Sequence, residues 1–349
     1  MTIIAVEPQS YVNQGLVREV DDRLVSSGLF KTVRVTPVNN RDGSCDLRVV
    51  VVEKQLWFAF PIFQAWSGSY SGGAAFGESN LFASNARTLL AVQGGNHLNR
   101  FFGVFDAKNV FDSDFAVRTW VMARDDEIPL YDGMKEIDRI RARDATISVI
   151  PGYQWTSSIR TSMAFTYRRL DTGSSTVDPR TGKKGNDVSL ASEFVFDSLR
   201  RREAFLNGDR IRLLYEVAEE RFGSDYTYHI EELEWVHAQS FRRWLNHVLR
   251  VNAGIGDTTL PFHRDFTLGG SSLRGYNDRQ FRGDTEIAAR QDLLTPLFHR
   301  KKFSIFGLIF HDLGLIYRDA NGISRSAAHN GVGGGLRVSL TDILAPVFG

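Results

Sequence analysis

Apolar and polar residues alternate along most of the chain. In the segment 160–169, Met163, Phe165 and Tyr167 occupy one set of alternate positions, and mostly charged or hydroxyl side chains occupy the other. The same two-residue period recurs in 210–222 and 245–255. Because successive side chains of a β-strand point to opposite faces, each segment is predicted to be a strand with one apolar and one polar face.

About fourteen strands of this kind are predicted from residue 56 onwards. Their approximate spans are 56–66, 70–82, 86–95, 100–110, 115–124, 145–155, 159–169, 188–197, 209–222, 227–240, 245–256, 283–296, 303–318 and 331–341. Short turns alternate with long connections, and the long ones are 125–144, 170–187 and 257–282. Antiparallel membrane barrels have this arrangement, with short periplasmic turns and longer external loops. The connection 198–208 is an exception, because it falls on the short side but has about a dozen residues.

The first 55 residues follow a different pattern. Apolar residues recur at every fourth position between Ser10, which can cap a helix, and Gly28, which can end one. These apolar residues are Val12, Leu16, Val20 and Leu24. Two apolar segments, 33–38 and 47–53, follow and are joined by the turn 39–43, which predicts a hairpin. Because one helix and one hairpin are too small for an independent core, we interpret residues 1–55 as part of a small α+β domain.

The length of the predicted strands favours a membrane barrel over a soluble β-sandwich or β-propeller, which also have alternating faces. The strands have ~10 residues or more, whereas strands in soluble sheets usually have about five or six. The sequence has no internal repeat of the kind that a propeller needs. No stretch of ~18 consecutive apolar residues predicts a spanning helix. The predicted fold class is therefore mostly β, an antiparallel transmembrane β-barrel, with a soluble sheet protein as the alternative.

Charge and cysteine content argue against several kinds of function. The chain has 42 Lys and Arg against 41 Asp and Glu, so it lacks the basic excess that favours binding to nucleic acid. Its one cysteine, Cys45, cannot form an internal disulfide. The eight histidines have no metal-ligand spacing, and no nucleophile or phosphate-binding motif is found. The sequence thus predicts no enzyme, no cofactor and no metal site.

A glycine-rich segment in the connection 257–282 combines an arginine with residues that allow a tight backbone path. Its distinctive residues are Gly269, Gly270, Leu273, Arg274, Gly275 and Tyr276. If this connection folds into the confined interior of a barrel, the arginine should pair with carboxylates. Candidates are Glu286 and Asp292 on the following strand, and Asp312, whose same-face neighbours are apolar, on the next. The alternative is an external loop whose arginine is solvated, as arginines usually are.

This segment resembles the signature of the BamA/TamA superfamily of bacterial surface antigen barrels. That signature is a Gly-Gly pair followed by an apolar residue, Arg, Gly and an aromatic residue. Three further stretches resemble the family in the same order, namely 77–82, 283–297 and 310–314. Residues 1–55 resemble the second half of a POTRA domain. The chain departs from the family at Asp292, where the family usually has Glu, and in its strand number, because the family barrel has sixteen strands.

The resemblance implies two domains and a location. Residues 1–55 would be the C-terminal part of a POTRA domain in the periplasm. Residues 56–349 would be a barrel in the bacterial outer membrane that lacks its last two strands. The resemblance also implies that the segment carrying Arg274 folds inward, with Asp312 as its first partner, Asp292 as its second, and Glu286 as a further candidate in the lumen.

The function that the resemblance implies is assistance in the insertion or translocation of other proteins. The partners would be outer-membrane lipids, unfolded or partly folded substrate proteins, and periplasmic proteins that bind the POTRA part by strand addition. Because unpaired sheet edges are costly in lipid, further copies or strands from elsewhere would complete an open sheet. A membrane anchor for an upstream enzyme domain and a passive solute pore remain alternatives. No nucleic acid partner is expected.

Overall fold

The computed structural model of the chain describes most of its residues. They are 12–27, 30–53, 56–66, 69–81, 86–108, 110, 113–202, 205–241, 244–257, 260–299, 303–318 and 328–340. The main elements are a helix and a hairpin, followed by a long antiparallel sheet. Within these residues, no helix is long and apolar enough to cross a membrane.

A helix and a hairpin form the N-terminal part, as the sequence predicts. Helix α1 spans Gln14–Ser27, and the strands β1 (Phe30–Asn39) and β2 (Cys45–Glu53) pair in antiparallel orientation. Val20 and Leu24 are buried on the helix, as their four-residue spacing predicts. Whether this unit is part of a POTRA domain stays a prediction.

The helix begins one turn later than the predicted cap. The side chain of Asn13 caps it, because its Oδ1 accepts a hydrogen bond of 2.8 Å from the backbone N–H of Leu16. The predicted cap Ser10 and the predicted stop Gly28 lie outside the described residues.

One sheet contains nearly all the other strands. In chain order, the strands are β3 (Trp57–Trp66), β4 (Ser69–Leu81), β5 (Ala86–Gly95), β6 (Leu98–Ala107), β7 (Phe115–Asp132), β8 (Lys135–Gln154), β9 (Ile159–Thr172), β10 (Lys184–Asp197), β11 (Arg200–Arg202), β12 (Phe205–Ala218), β13 (Tyr228–Phe241), β14 (Leu245–Gly256), β15 (Phe266–Leu268), β16 (Phe281–Gly283), β17 (Thr285–His299), β18 (Phe303–Tyr317) and β19 (His329–Leu340).

The sheet runs in the order β19-β18-β17-β14-β13-β12-β10-β9-β8-β7-β6-β5-β4-β3, and the short β11 pairs with β12. Its fourteen long strands confirm the predicted number, and every pairing is antiparallel. The strands β15 and β16 pair only with each other. The sheet is not closed in the described residues, because β3 and β19 remain its two edges.

The two faces of the sheet differ in the way that the alternation predicts. Along β9, Met163, Phe165 and Tyr167 are exposed on the outward face. On the inward face of the same strand, Oγ1 of Thr166 lies 2.9 Å from Oγ of Ser148 on β8. Exposed apolar rows outside and polar contacts inside are what a sheet between lipid and a polar interior requires.

Besides 257–282, which holds β15 and β16, two connections that the sequence predicts to be loops contain strands. The strands β7 and β8 continue through 125–144 and meet in a turn at Gly133 and Met134, so this connection is an extended hairpin. The connection 198–208 is also a hairpin, in which β11 pairs with the start of β12. Charged and turn-forming residues interrupt the apolar period in both places. A strand with polar residues on both faces can still pair, because pairing uses backbone groups.

The hairpin 198–208 packs against the inward face of the sheet. Its apolar residues Leu199, Phe205 and Leu206 contact the inward cluster that contains Phe306. The buried amide of Asn246 donates a hydrogen bond of 2.8 Å to the carbonyl oxygen of Leu206. The hairpin therefore covers an apolar part of the interior.

We expect Phe165→Arg to lower the free energy of unfolding by roughly 2–4 kcal/mol, because an outward arginine near the middle of the apolar band must leave the hydrocarbon. Thr166→Arg is the matched control, since the neighbouring side chain faces the polar interior. The measurement is urea-induced unfolding in lipid vesicles. Equal losses in the two variants would contradict the assignment of the faces.

Candidate functional site

The connection 257–284 between β14 and β17, hereafter the inner loop, contains the candidate site. Part of it is a two-stranded ribbon in which β15 pairs with β16. At the tip of this ribbon, Leu268 and Leu273 are fully buried against Ala288 of β17 and Ile316 of β18. Because Ala288 and Ile316 lie on the inward face, the inner loop folds into the interior of the sheet.

The glycines of the motif shape the tip of the ribbon. Gly269, Gly270 and Gly275 have φ values of 131°, 61° and 97°, which side chains other than glycine rarely adopt. A Cβ atom on Gly269 would lie 2.0 Å from the carbonyl oxygen of Asn277. The backbone N–H of Gly270 donates a hydrogen bond of 3.1 Å to the carbonyl oxygen of Tyr276 and closes the turn. The tip therefore needs glycine at these positions.

Arg274 joins the tip to the wall of the sheet. Its Nε and Nη2 donate hydrogen bonds of 2.7 and 2.5 Å to the two carboxylate oxygens of Asp312, and its backbone N–H donates a third of 3.0 Å. Nη2 also lies 2.8 Å from Oδ1 of Asp292, as an ion pair. The guanidinium group lies 3.8 Å from the centroid of the Phe310 ring. A bidentate carboxylate and a ring face together fix the orientation of this planar group.

The two carboxylates that contact Arg274 are buried, with 0% of Asp312 and 2% of Asp292 exposed. Among the described residues, Arg274 is the only ionic partner of Asp312. Asp292 is shared, because Arg250 of β14 and Arg337 of β19 donate hydrogen bonds of 3.3 and 3.0 Å to its Oδ2. A buried carboxylate is costly without a cationic partner, so Asp312 depends on Arg274 more than Asp292 does.

Two other predicted site residues lie apart from this pair. Glu286 faces the interior but precedes Asp292 by six positions on β17, which places it ~20 Å away along the strand. It forms no ion pair within the described part of the chain and is not a partner of Arg274 in this structure. Tyr276 turns to the edge strand β19, where its hydroxyl donates a hydrogen bond of 3.1 Å to the carbonyl oxygen of Asn330.

A second contact of the inner loop is centred on Asp265, whose side chain is fully buried. Its carboxylate oxygens form ion pairs with guanidinium nitrogens at 2.7 Å from Arg180, 2.6 Å from Arg318 and 3.4 Å from Arg282. Arg282 also lies over the ring of Phe262, 4.0 Å from the centroid. One carboxylate thus links the inner loop to the connection after β9 and to the end of β18.

A third contact joins the start of the inner loop to the middle of the sheet. His263 Nε2 lies 2.8 Å from Oδ2 of Asp187 on β10, and the hydroxyl of Tyr228 donates a hydrogen bond of 3.0 Å to the same carboxylate. Arg264 pairs with Glu216 of β12 and lies over the Tyr228 ring.

A fourth contact reaches the far side of the interior. Arg279 donates hydrogen bonds of 2.7 and 3.2 Å to the carboxylate of Asp126 on β7. The amide of Gln280 donates a hydrogen bond of 2.8 Å to the carbonyl oxygen of Gly133, in the turn between β7 and β8. The inner loop therefore spans the interior from β17 and β18 to β7.

Residues 80–346 match the family model of the Omp85 superfamily domain. The chain belongs to the Omp85 superfamily. The resemblance to the BamA/TamA superfamily, which the motif around Arg274 indicates, is thereby confirmed. Among curated proteins, no sequence matches the chain.

Solved structures show the same fold as this Omp85 chain. BamA from Haemophilus ducreyi lacking POTRA domains 1-3 is 12% identical, with a TM-score of 0.65, and the match covers 96% of this chain and 74% of that one. CdiB from Escherichia coli is 13% identical, with a TM-score of 0.71 and coverages of 93% and 64%. CdiB from Acinetobacter baumannii is 13% identical, with a TM-score of 0.64 and coverages of 93% and 62%. The chain thus spans less than two thirds of either CdiB chain.

We expect Arg274 and Asp312 to be coupled by about 1–3 kcal/mol in a double-mutant cycle of Arg274→Ala and Asp312→Asn. The reason is that each single change leaves one charge of the pair without its partner, whereas the double change removes both charges. The measurement is the free energy of unfolding in lipid vesicles. A cycle of Arg274→Ala with Glu286→Gln is the matched control and should give no coupling, and equal coupling in both cycles would contradict the assignment.

Proposed function

We propose that this Omp85 chain is a bacterial outer-membrane barrel that assists the insertion or translocation of other proteins. Membership of the Omp85 superfamily supports both the location and the activity. The observation that carries the proposal is the Arg274 pair, which ties the inner loop to β17 and β18, next to the edge strand β19. The inner loop would then hold this edge of the sheet in position while another protein strand passes or binds.

Within the described residues, β19 is an edge of the sheet, and this supports the same proposal. An edge strand presents free backbone N–H and C=O groups that pair readily with an incoming strand. On β19, Val332 and Leu336 are 75% and 71% exposed. A substrate strand with one apolar face would pair with these backbone groups and extend the apolar row beside it.

The two alternative functions have less support. A passive solute pore needs an open interior, whereas the inner loop reaches across the sheet from Asp312 to Asp126. For a membrane anchor of an enzyme domain, the described part of the chain offers no specific observation. We further propose that residues 1–55 are part of a POTRA domain in the periplasm, which the helix and hairpin support.

We expect Arg274→Ala to lower assembly activity severalfold while the sheet still forms, because its strands pair independently of the inner loop. The measurement is the rate at which a small outer-membrane barrel protein folds into vesicles that contain the purified chain. Arg221→Ala is the matched control, because this arginine is exposed outside the interior. An unchanged folding rate in Arg274→Ala would contradict the proposed role of the inner loop. An equally lowered rate in both variants would also contradict it, because the effect would then not be specific to Arg274.

The orientation can be tested with single cysteines in a Cys45→Ser background. We expect Met134→Cys, at the exposed turn between β7 and β8, to react with a membrane-impermeant maleimide on intact cells. Ser44→Cys, in the hairpin of β1 and β2, should react only after the outer membrane is permeabilised. The reverse order of reactivity would contradict the proposed topology.

A further inference from the structure

A hollow of about 1030 Å³ lies against the strands β6 to β10, away from the inner loop. Two alanines, Ala123 and Ala145, are register partners on β7 and β8 and lie on the outward face. In the same row across the sheet, Ala123 pairs with Phe101 and Ala145 pairs with Arg169. The two small side chains therefore leave a depression between an aromatic ring and an arginine.

The hollow lies where the apolar surface of the sheet ends. In the row on one side, the outward residues Ile147 and Tyr167 are register partners and are exposed. In the row on the other side, the outward residues of β7 to β10 are charged. They are Asp125, Arg143, Asp171 and Lys184. Tyrosine at the boundary of an apolar band is typical of a membrane interface, so lipid head groups would lie beside the charged row.

Two arginines at the hollow, Arg143 and Arg169, have guanidinium N–H groups that make no ion pair with a described residue, whereas the neighbouring Arg141 is paired through two nitrogens. Arg141 makes a bidentate pair with Asp125, at 2.7 and 2.6 Å. Arg143 reaches the same carboxylate with Nε alone, at 3.2 Å, and Arg169 has no ionic partner among the described residues. The guanidinium groups of Arg143 and Arg169 are therefore available to an external anion, and guanidinium forks fit phosphate.

This basic cluster is local and does not encircle the sheet. At the corresponding ends of β12, β13 and β14, the outward face carries acidic residues in place of arginine and lysine. The charged outward residues there, level with Tyr215 or beyond it, are Glu219, Glu231 and Asp257, and the outward Val217 and His229 lie among them. A general attraction to anionic head groups would favour cations all round the sheet, so the cluster at β8 to β10 points to one binding site.

We propose that the hollow binds a phosphorylated glycolipid of the outer leaflet. An acyl chain would lie on Ala123 and Ala145, between Phe101 and Tyr167, with phosphate at Arg143 and Arg169. The cations extend from Arg143 on β8 to Lys184 on β10, whose ammonium group also lies 3.0 Å from the carboxylate of Asp171. Two strand spacings are ~10 Å, which suits a head group with more than one phosphate. The hollow lies towards the turn of β7 and β8, which the proposed topology places outside the cell. The inference rests on this topology and not on the assembly activity.

The test measures lipid retention by the full chain. The protein is folded into nanodiscs of phosphatidylcholine that contain a minor fraction of bisphosphorylated lipid A or of phosphatidylglycerol. Lipid retained by each protein molecule is then counted by native mass spectrometry. We expect lipid A to be retained, and the double variant Arg143→Gln/Arg169→Gln to lower its apparent affinity by roughly tenfold for each guanidinium group that is removed.

Two further variants separate the hollow from general charge. Ala145→Phe fills the depression and leaves every cation in place, so it should also lower retention. Lys135→Gln/Arg221→Gln removes two exposed cations outside the hollow and should leave retention unchanged. Equal retention of phosphatidylglycerol, or equal losses in the control and the arginine variants, would overturn the inference, as would full retention by Arg143→Gln/Arg169→Gln.

Discussion

Ion pairs between the inner loop and inward carboxylates of the sheet are the constraint on which this Omp85 structure depends. Asp312, Asp187 and Asp126 are nearly or fully buried, and each meets a cation or a histidine of the inner loop. Buried ion pairs add little net stability over apolar packing, but removing one partner leaves an uncompensated charge. Breaking these contacts one at a time therefore has a large free-energy cost. As a result, the ion pairs hold the inner loop in a single position inside the sheet.

On β18, the alternation of residues predicts which side chains face inward but does not explain why some of them are apolar. The alternation predicts that Asp312 faces inward, although its neighbours Phe306 and Phe310 on that face are apolar. Both aromatic residues have specific contacts, because Phe310 lies under the guanidinium of Arg274 and Phe306 packs with the hairpin 198–208. Apolar residues inside a polar interior are thus explained by segments distant in sequence, which the pattern of one strand does not reveal.

The alternation of residues along each strand, together with the motif, predicted that the carboxylates face inward. Alternation does not tell how far along the strand a residue lies or which residue of the next strand it meets. It grouped Glu286 with Asp292, although the two lie ~20 Å apart along β17 and only one reaches Arg274. The pair of Arg279 and Asp126 joins residues 153 positions apart and had no local signal. The sequence did not predict the extended hairpin at 125–144 for a related reason. Its strands pair through backbone groups and lack the alternation of apolar and polar residues on which the prediction relied.

The inner loop contacts the two edge strands of the sheet to different extents. At β19, Arg337 donates a hydrogen bond to Asp292, and a Cβ atom on Gly331 would lie 2.1 Å from the carbonyl oxygen of Arg274. Towards the other edge, a cavity of about 270 Å³ separates Arg279 from Gln64 of β3. Displacing β19 would break ionic contacts with Asp292, whereas the side-chain contacts of β3 are with β4 and β5, such as the hydrogen bond of 3.1 Å from Gln93 to Gln64. The inner loop is therefore bound more tightly to the β19 side of the sheet than to the β3 side.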